Sequence, residues 1–307
     1  MLDVLKGIAG KVWLPLLAWI FPSALGVLAI WFLILPLMNE ASWTVATKAE
    51  NLSAGEASSW LVGASLVLGI LLYALSMPLY RLLEGYSWPR PLRVWAVAQQ
   101  RAHVDDLRNR IAQPVAGQEW ERGLLQEKLA RYPTDVMQIA PTRLGNALRA
   151  FETYGVSRFN LDSQTFWTEL RTIVPQQLAS EIDLTRCFVD FFVAIIYLDL
   201  GFSVIALATI ISCHAFQFSA NWFLVFLPIL ISYFAYRMAL VASSSWSASV
   251  QALVNIGRKP LAESLGIQLP STLSAERDMW GNLVRFVYFG DDDGDGTRLN
   301  RFRKQRR

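Results

Sequence analysis

Long apolar blocks alternate with polar stretches along the chain. The blocks cover residues 12–38, 59–80, 187–212 and 221–243. A helix rises about 1.5 Å per residue, so roughly 20 apolar residues cross the ~30 Å hydrocarbon core of a bilayer. The pattern therefore predicts an all-α, polytopic membrane protein with four transmembrane helices. The first block is interpreted as a retained helix and not a signal peptide, because its apolar run is too long and no small-residue cleavage site follows it.

Helical signals continue between the second and third blocks, where the chain is too polar to cross a membrane. The proline-broken segment 87–94 leads into a helix that is predicted to end near residue 110. A second helix is predicted from about residue 119 to residue 131, where Glu127 and Arg131 form an i, i+4 pair. This stretch is therefore predicted to fold as a small helical domain outside the membrane.

The alternation of apolar and polar stretches also sets the predicted domain organisation. The predicted parts are an N-terminal transmembrane hairpin (1–80), a helical cytoplasmic domain (81–180), a C-terminal transmembrane hairpin (181–243), cytoplasmic helices (244–290) and a disordered acidic and basic tail (291–307).

Charge distribution predicts the orientation of these parts. Hydrophobic residues make up 53% of the chain and charged residues only 17%. The segment 39–58 has one base, Lys48, and the link 213–220 has no charge, whereas 81–186 and the C-terminal tail are rich in arginine. Under the positive-inside rule both termini and the central domain lie in the cytoplasm, with the spans in the cell inner (plasma) membrane. The net charge of +3 is explained by bases that meet anionic lipid, so the bilayer and not nucleic acid is the predicted partner.

Two acids lie inside the third apolar block. Asp190 and Asp199 are nine residues apart, which places them on opposite sides of a helix. Asp190 and Arg237 lie at similar depths on antiparallel helices, so an intramembrane ion pair is predicted between them. Asp199 then has no charged partner and shares its face with Ser203. Because rings of acids select cations, these two residues are the predicted pore or ion site of a homo-oligomer.

One polar motif stands out in the central domain. Thr142 is predicted to cap a helix that Gly155 ends, within the run PTRLGNALRA at 141–150. This run, followed by Tyr154, Leu161, Asp162 and Trp167, resembles a segment of uncharacterised bacterial multi-span inner-membrane proteins, and the resemblance implies no function. Its polar members form either helix-surface and capping contacts or a cytoplasmic ligand or partner site; they are Arg143, Asn146, Arg149 and Glu152.

A search for catalytic and metal-binding motifs found one partial match. The tail residues Asp291, Asp293 and Asp295 match positions 1, 3 and 5 of a calcium loop, but position 12 is Phe302 where a glutamate is needed. The match is therefore a weak metal site. The chain contains no phosphate-binding glycine loop, and no cofactor is predicted.

These patterns support two hypotheses about function. The first is a homo-oligomeric ion channel or pore with a cytoplasmic regulatory domain. The alternative is a membrane-anchored scaffold or receptor whose helical cytoplasmic domain binds a soluble protein partner or signal. An enzyme is disfavoured, because no recognisable catalytic set is present.

Overall fold

A computed structural model describes residues 14, 16–40, 44–113, 119–212, 220–290 and 295–303. Within these residues the fold is all-helical without a β-strand, which confirms the all-α part of the predicted fold class. The α-helices are α1 (Phe21–Ala29), α2 (Leu35–Glu40), α3 (Thr44–Glu50), α4 (Ala54–Ala74), α5 (Ser76–Glu84), α6 (Arg90–Ala112), α7 (Glu119–Ala130), α8 (Arg143–Glu152), α9 (Tyr154–Phe159), α10 (Trp167–Ile173), α11 (Gln176–Ser212), α12 (Phe223–Ser264), α13 (Leu273–Phe289) and α14 (Asp295–Asn300).

The chain divides into two compact units. Unit 1 contains residues 1–80 and 184–242, and unit 2 contains residues 81–183 and 243–307. Residues beyond the fourth apolar block therefore belong to the same unit as the polar stretch between the second and third blocks.

Four helical stretches are long and apolar enough to cross a membrane. They are Leu17–Met38, Ala54–Ala74, Gln176–Ser212 and Phe223–Ser264. The four candidate transmembrane helices predicted from hydropathy are thus present. In the most apolar window of Ala54–Ala74 only 11% of the residues are buried, so most of its apolar surface faces outward.

The second candidate span differs from its predicted bounds of 59–80. A capping box starts α4 early: Glu56 N–H donates to the Ser53 side chain, and Ser53 N–H donates to the Glu56 carboxylate at 2.9 Å. The helix ends at Ala74, four residues before Pro78, and α5 begins at Ser76. A proline cannot donate a backbone hydrogen bond and clashes with the preceding turn, which explains the break.

Unit 1 packs small residues against a neighbouring backbone. A Cβ added to Gly69 would lie 2.8 Å from Ile20 Cα, so only glycine fits there. Ile20 ends a π-helical turn, Leu16–Ile20, next to Pro22, and local π-helical adjustments re-satisfy backbone groups that a proline leaves unbonded. One carbonyl of this region, that of Trp19, accepts a hydrogen bond from the Ser23 hydroxyl at 2.7 Å.

Unit 2 has an apolar core and a buried ion pair. Trp280 and Met279 of α13 are fully buried, and the Trp280 ring lies 6.3 Å from that of Phe166. Arg258 of α12 donates to both carboxylate oxygens of Glu276, at 2.6 and 2.7 Å. Because Glu276 is only 5% exposed, this contact neutralises a charge that would otherwise be costly to bury.

Candidate functional site

The PTRLGN motif begins α8 and fixes the loop before it. The Thr142 hydroxyl accepts a hydrogen bond from Gly145 N–H at 3.0 Å, so Thr142 caps the helix as predicted. Asn146 is fully buried, and its side chain makes three backbone hydrogen bonds. Two are to Ala140, at 2.7 and 2.9 Å, and one is to the Thr142 carbonyl at 2.8 Å. The amide of Asn146 is therefore engaged in holding the loop.

The remaining polar members of the motif lie on different faces of α8. Arg143 is exposed, and its charge acts on His103. Burial, followed by the Arg143 charge, lowers the pKa of His103. Arg149 and Glu152 are six and nine residues further on and form an ion pair at 3.6 Å. The four residues thus do not converge on one site.

A residue that sequence reasoning missed, Glu84 at the end of α5, joins Arg149 and Glu152. Burial first, and the Glu152 charge second, raise the pKa of Glu84 to about 7. Burial also raises the pKa of Glu152, against the nearby Arg149 charge. Tyr86 belongs to the same group, and burial raises the pKa of its phenol. We call Glu84, Tyr86, Arg149 and Glu152 the acid–arginine cluster.

Two glycines bring the ends of this cluster together. A Cβ on Gly145 would lie 2.9 Å from the Glu84 carbonyl oxygen, so α8 and the end of α5 meet backbone to backbone. Gly85 has φ +87°, a conformation that disfavours side chains, and packs on Pro141. Gly145 of the PTRLG run therefore allows α8 to pack against the end of α5. A single glycine such as Gly85 is not enough to predict this contact from the sequence.

The acid–arginine cluster has the properties of a proton-binding or ligand-binding site. Glu152 pairs with Arg149, the charges of both residues act on Glu84, and the Arg149 Nε is buried without a hydrogen-bond partner among the described residues. A carboxyl group whose pKa lies near neutral changes charge under physiological conditions. The cluster can therefore take up or release a proton, or offer Arg149 to an anionic group.

Asp190 of α11 has partners other than the predicted Arg237. It accepts a hydrogen bond from the Tyr80 hydroxyl at 2.6 Å and one from the Trp19 side chain, and Arg186 Nε lies 3.7 Å from its Oδ2. Arg237 instead donates to the Tyr233 hydroxyl at 3.3 Å. Equal depth sets the height of two side chains but not the direction in which they point, so depth did not identify the partner.

Asp199 and Ser203 lie on one face of α11, but their side chains do not pair. The Ser203 hydroxyl donates to the Asp199 carbonyl oxygen at 2.8 Å, and Ser203 is only 5% exposed. Asp199 is half-buried. Its Oδ2 is buried without a hydrogen-bond partner in the part of the chain that the structure describes.

The proposed calcium residues give no described site. Asp291 and Asp293 lie outside the described residues, and Asp295 is the first residue of α14 with its side chain not described. Within residues 14–303, apart from the gaps given above, no group of three potential metal ligands occurs.

Comparison with known proteins gives no relative from which a role could be transferred. No family model, no curated protein and no solved structure matches the chain. The resemblance of the PTRLGN segment to bacterial inner-membrane proteins stays a prediction.

Proposed function

We propose that the protein is inserted in the cell inner membrane through its four apolar helices. Large apolar side chains on these helices remain exposed, such as Val67 at 68% and Phe223 at 71%. Exposing this apolar surface to water is unfavourable, whereas contact with lipid hydrocarbon is not. Of the 28 bases of the chain, all but five lie in unit 2, which supports a cytoplasmic location for unit 2 and the C-terminus. Lys6 and Lys11, which precede the first apolar block, support the same side for the N-terminus.

Within the membrane, the protein forms a homo-oligomeric pore that passes cations. The observation that carries this proposal is the Asp199 carboxylate, a charged group inside an apolar helix whose Oδ2 lacks a partner. A carboxylate at membrane depth is costly unless it meets a partner or water. A ring of Asp199 side chains from several subunits around a water-filled path would satisfy it and would attract cations. Ser203 then positions the Asp199 backbone and does not line the path.

Conductance measurements on purified protein test the pore. The intact protein, reconstituted in planar bilayers, is expected to pass cations, and Asp199→Asn is expected to reduce its selectivity for cations over anions. Asp105→Asn serves as a matched control, because the Asp105 side chain is 65% exposed in unit 2. A purified oligomer without conductance would exclude the pore, and equal selectivity of both variants would exclude Asp199 as its filter.

A second candidate function, a membrane-anchored receptor or scaffold, is favoured by the acid–arginine cluster. Unit 2 contains more than half of the residues of the chain. A minimal channel does not need so large a part outside its membrane helices. The cluster is partly buried and contains an Arg149 Nε without a partner among the described residues. A cytoplasmic partner or signal molecule with an acidic group would occupy it, with Arg143 contributing from another face of α8.

Loss of binding in paired variants tests the receptor. Arg143→Ala combined with Arg149→Ala is expected to lose a soluble partner that co-purifies with the intact protein. Arg108→Ala combined with Arg131→Ala removes the same charge from positions outside the acid–arginine cluster in the same unit and is expected to retain the partner. If both double variants retain every partner, the proposed site is wrong.

A further inference from the structure

A run of exposed apolar side chains surrounds the start of α6. Tyr86 is 39% exposed, Leu92 44%, Val94 60% and Trp95 57%. Residues 89–95 are all exposed, and Ala96 is the first buried position. We call residues 86–95, which run from the turn before α6 into its first six residues, the pre-α6 segment. Side chains that follow one another in a helix point about 100° apart, so these apolar groups cover more than one side of the helix start.

The charges of this segment are all positive. Arg90 and Arg93 lie inside it, and no acid occurs between Glu84 and Asp105. Trp120 on α7 gives a contrast within the same unit, because it is 68% exposed but has Glu119 and Glu121 as neighbours. Of these two exposed aromatic sites, the pre-α6 segment is cationic and the one on α7 has acidic neighbours.

Local hydrogen bonds hold the segment in a defined conformation. The Trp88 indole N–H donates to the Leu82 carbonyl at 2.9 Å, and Arg93 Nη1 lies 3.3 Å from the Tyr86 carbonyl oxygen. Pro89 precedes the helix with an extended ψ of 141°, and Pro91 occupies its second position, where a missing N–H costs nothing. The apolar side chains are therefore displayed by a fixed backbone.

We propose that the pre-α6 segment lies in the interfacial layer of the bilayer and binds anionic lipid. Leu92, Val94 and Trp95 enter the boundary between headgroups and acyl chains, while Arg90 and Arg93 contact lipid phosphates. Aromatic and aliphatic groups beside arginines are typical of interfacial helices. The segment begins twelve residues after Ala74, the end of the second candidate span, so the chain can return to the membrane surface. This inference rests on the proposed insertion of the four helices.

Lipid-borne quenchers test the position of the segment in the full-length protein. A single cysteine is introduced by Trp95→Cys in a background with Cys187→Ser and Cys213→Ser, and is labelled with a polarity-sensitive fluorophore. The protein is placed in nanodiscs of phosphatidylcholine and phosphatidylglycerol that contain brominated lipid. Val67→Cys reports on a candidate span, and Trp120→Cys reports on a position that is at least as exposed as Trp95 but has acidic neighbours.

The three labels separate the outcomes. Quenching at positions 67 and 95, several-fold stronger than at position 120, supports the proposal. Quenching at 67 but not at 95 overturns it while the insertion stands; this result is also expected if a second copy or a soluble protein covers the segment. Absence of quenching at 67 overturns the insertion and this inference together.

Removal of the two arginines tests the role of charge. Arg90→Gln with Arg93→Gln is expected to weaken quenching at position 95 in nanodiscs with phosphatidylglycerol, and to change it less in phosphatidylcholine alone. Equal quenching with and without the arginines in both lipids would overturn the proposed binding of anionic lipid.

Discussion

The two units differ in how many basic residues and how many ion pairs they contain. Unit 1 contains five of the 28 Lys and Arg residues, which are Lys6, Lys11, Lys48, Arg186 and Arg237. Seven of the eight ion pairs found among the described residues lie in unit 2. Several of these join different helices, such as Arg110 with Glu121 and Arg258 with Glu276. Unit 2 is therefore held partly by ion pairs between helices that follow one another along the chain.

Polar groups of unit 1 are mostly satisfied within their own helix. The hydroxyls of Ser23, Ser65, Ser203 and Thr209 each donate to the carbonyl four residues earlier. Such bonds leave helix surfaces apolar and free for close packing, as at Gly69. The difference indicates that close packing specifies unit 1 and that paired charges help to specify unit 2.

The largest effect is expected from breaking the buried ion pair of unit 2. Arg258→Ala would leave Glu276, which is 5% exposed, without its guanidinium and should lower the free energy of unfolding by about 3–5 kcal/mol. Thermal unfolding in detergent measures the loss. Arg131→Ala is the matched control, because its pair with Glu127 is on the surface, and should cost at most about 0.5 kcal/mol. Similar losses for both variants would contradict the assigned role of the Arg258 pair.

Close packing in unit 1 is tested by adding one methyl group. Gly69→Ala would place Cβ 2.8 Å from the backbone of Ile20 and should destabilise the protein by about 1–3 kcal/mol. Gly63→Ala lies on the same helix with nothing within 4 Å of the added atom. It should be neutral or stabilise the helix by up to about 1 kcal/mol. Equal melting temperatures for the two variants would show that the contact with Ile20 does not hold unit 1.

The polar contact at Asp190 is a smaller exception within unit 1. Tyr80→Phe removes the 2.6 Å hydrogen bond to Asp190 and keeps the ring. Because Trp19 and Arg186 still contact Asp190, the expected loss of stability is about 0.5–1.5 kcal/mol. Tyr73→Phe, at an exposed ring on α4, is the control. An unchanged melting temperature for Tyr80→Phe would mean that Trp19 and Arg186 suffice for Asp190.

The smallest effect is a pH dependence in unit 2. The pKa of Glu84 is raised from 4.5 to about 7, so the folded state binds the proton more tightly than the unfolded state does. The contribution of Glu84 to stability is therefore full below pH 4.5 and is lost as the pH rises through about 7. Glu84→Gln mimics the protonated form and should stabilise the protein at pH 8 by about 1 kcal/mol, a value reduced for partial exposure.

Melting temperatures at pH 5 and pH 8 test this sign. The gain from Glu84→Gln should be larger at pH 8 than at pH 5, whereas Glu127→Gln, on the surface of α7, should give the same difference at both. A gain that is larger at pH 5 would contradict the raised pKa of Glu84.

Much of the secondary structure followed from the sequence because its causes are local. Hydropathy runs predicted the four apolar helices, and the Thr142 cap and the Glu127–Arg131 pair depend on residues three or four positions apart. Local signals gave the wrong helix end where packing against a neighbouring segment determined it. Gly155 was predicted to end a helix, but α8 ends at Glu152, and Gly155 lies within α9, packed on the Leu161 carbonyl.

The partners of charged residues were decided by the tertiary structure. Asp190 meets Tyr80, 110 residues away in sequence, and Glu84 meets Arg149 and Glu152 through the approach of Gly145 to its backbone. A sequence pattern records how far apart residues lie along a helix and which of them share a face. It does not record which other helix that face will meet, because this depends on the packing of the whole unit.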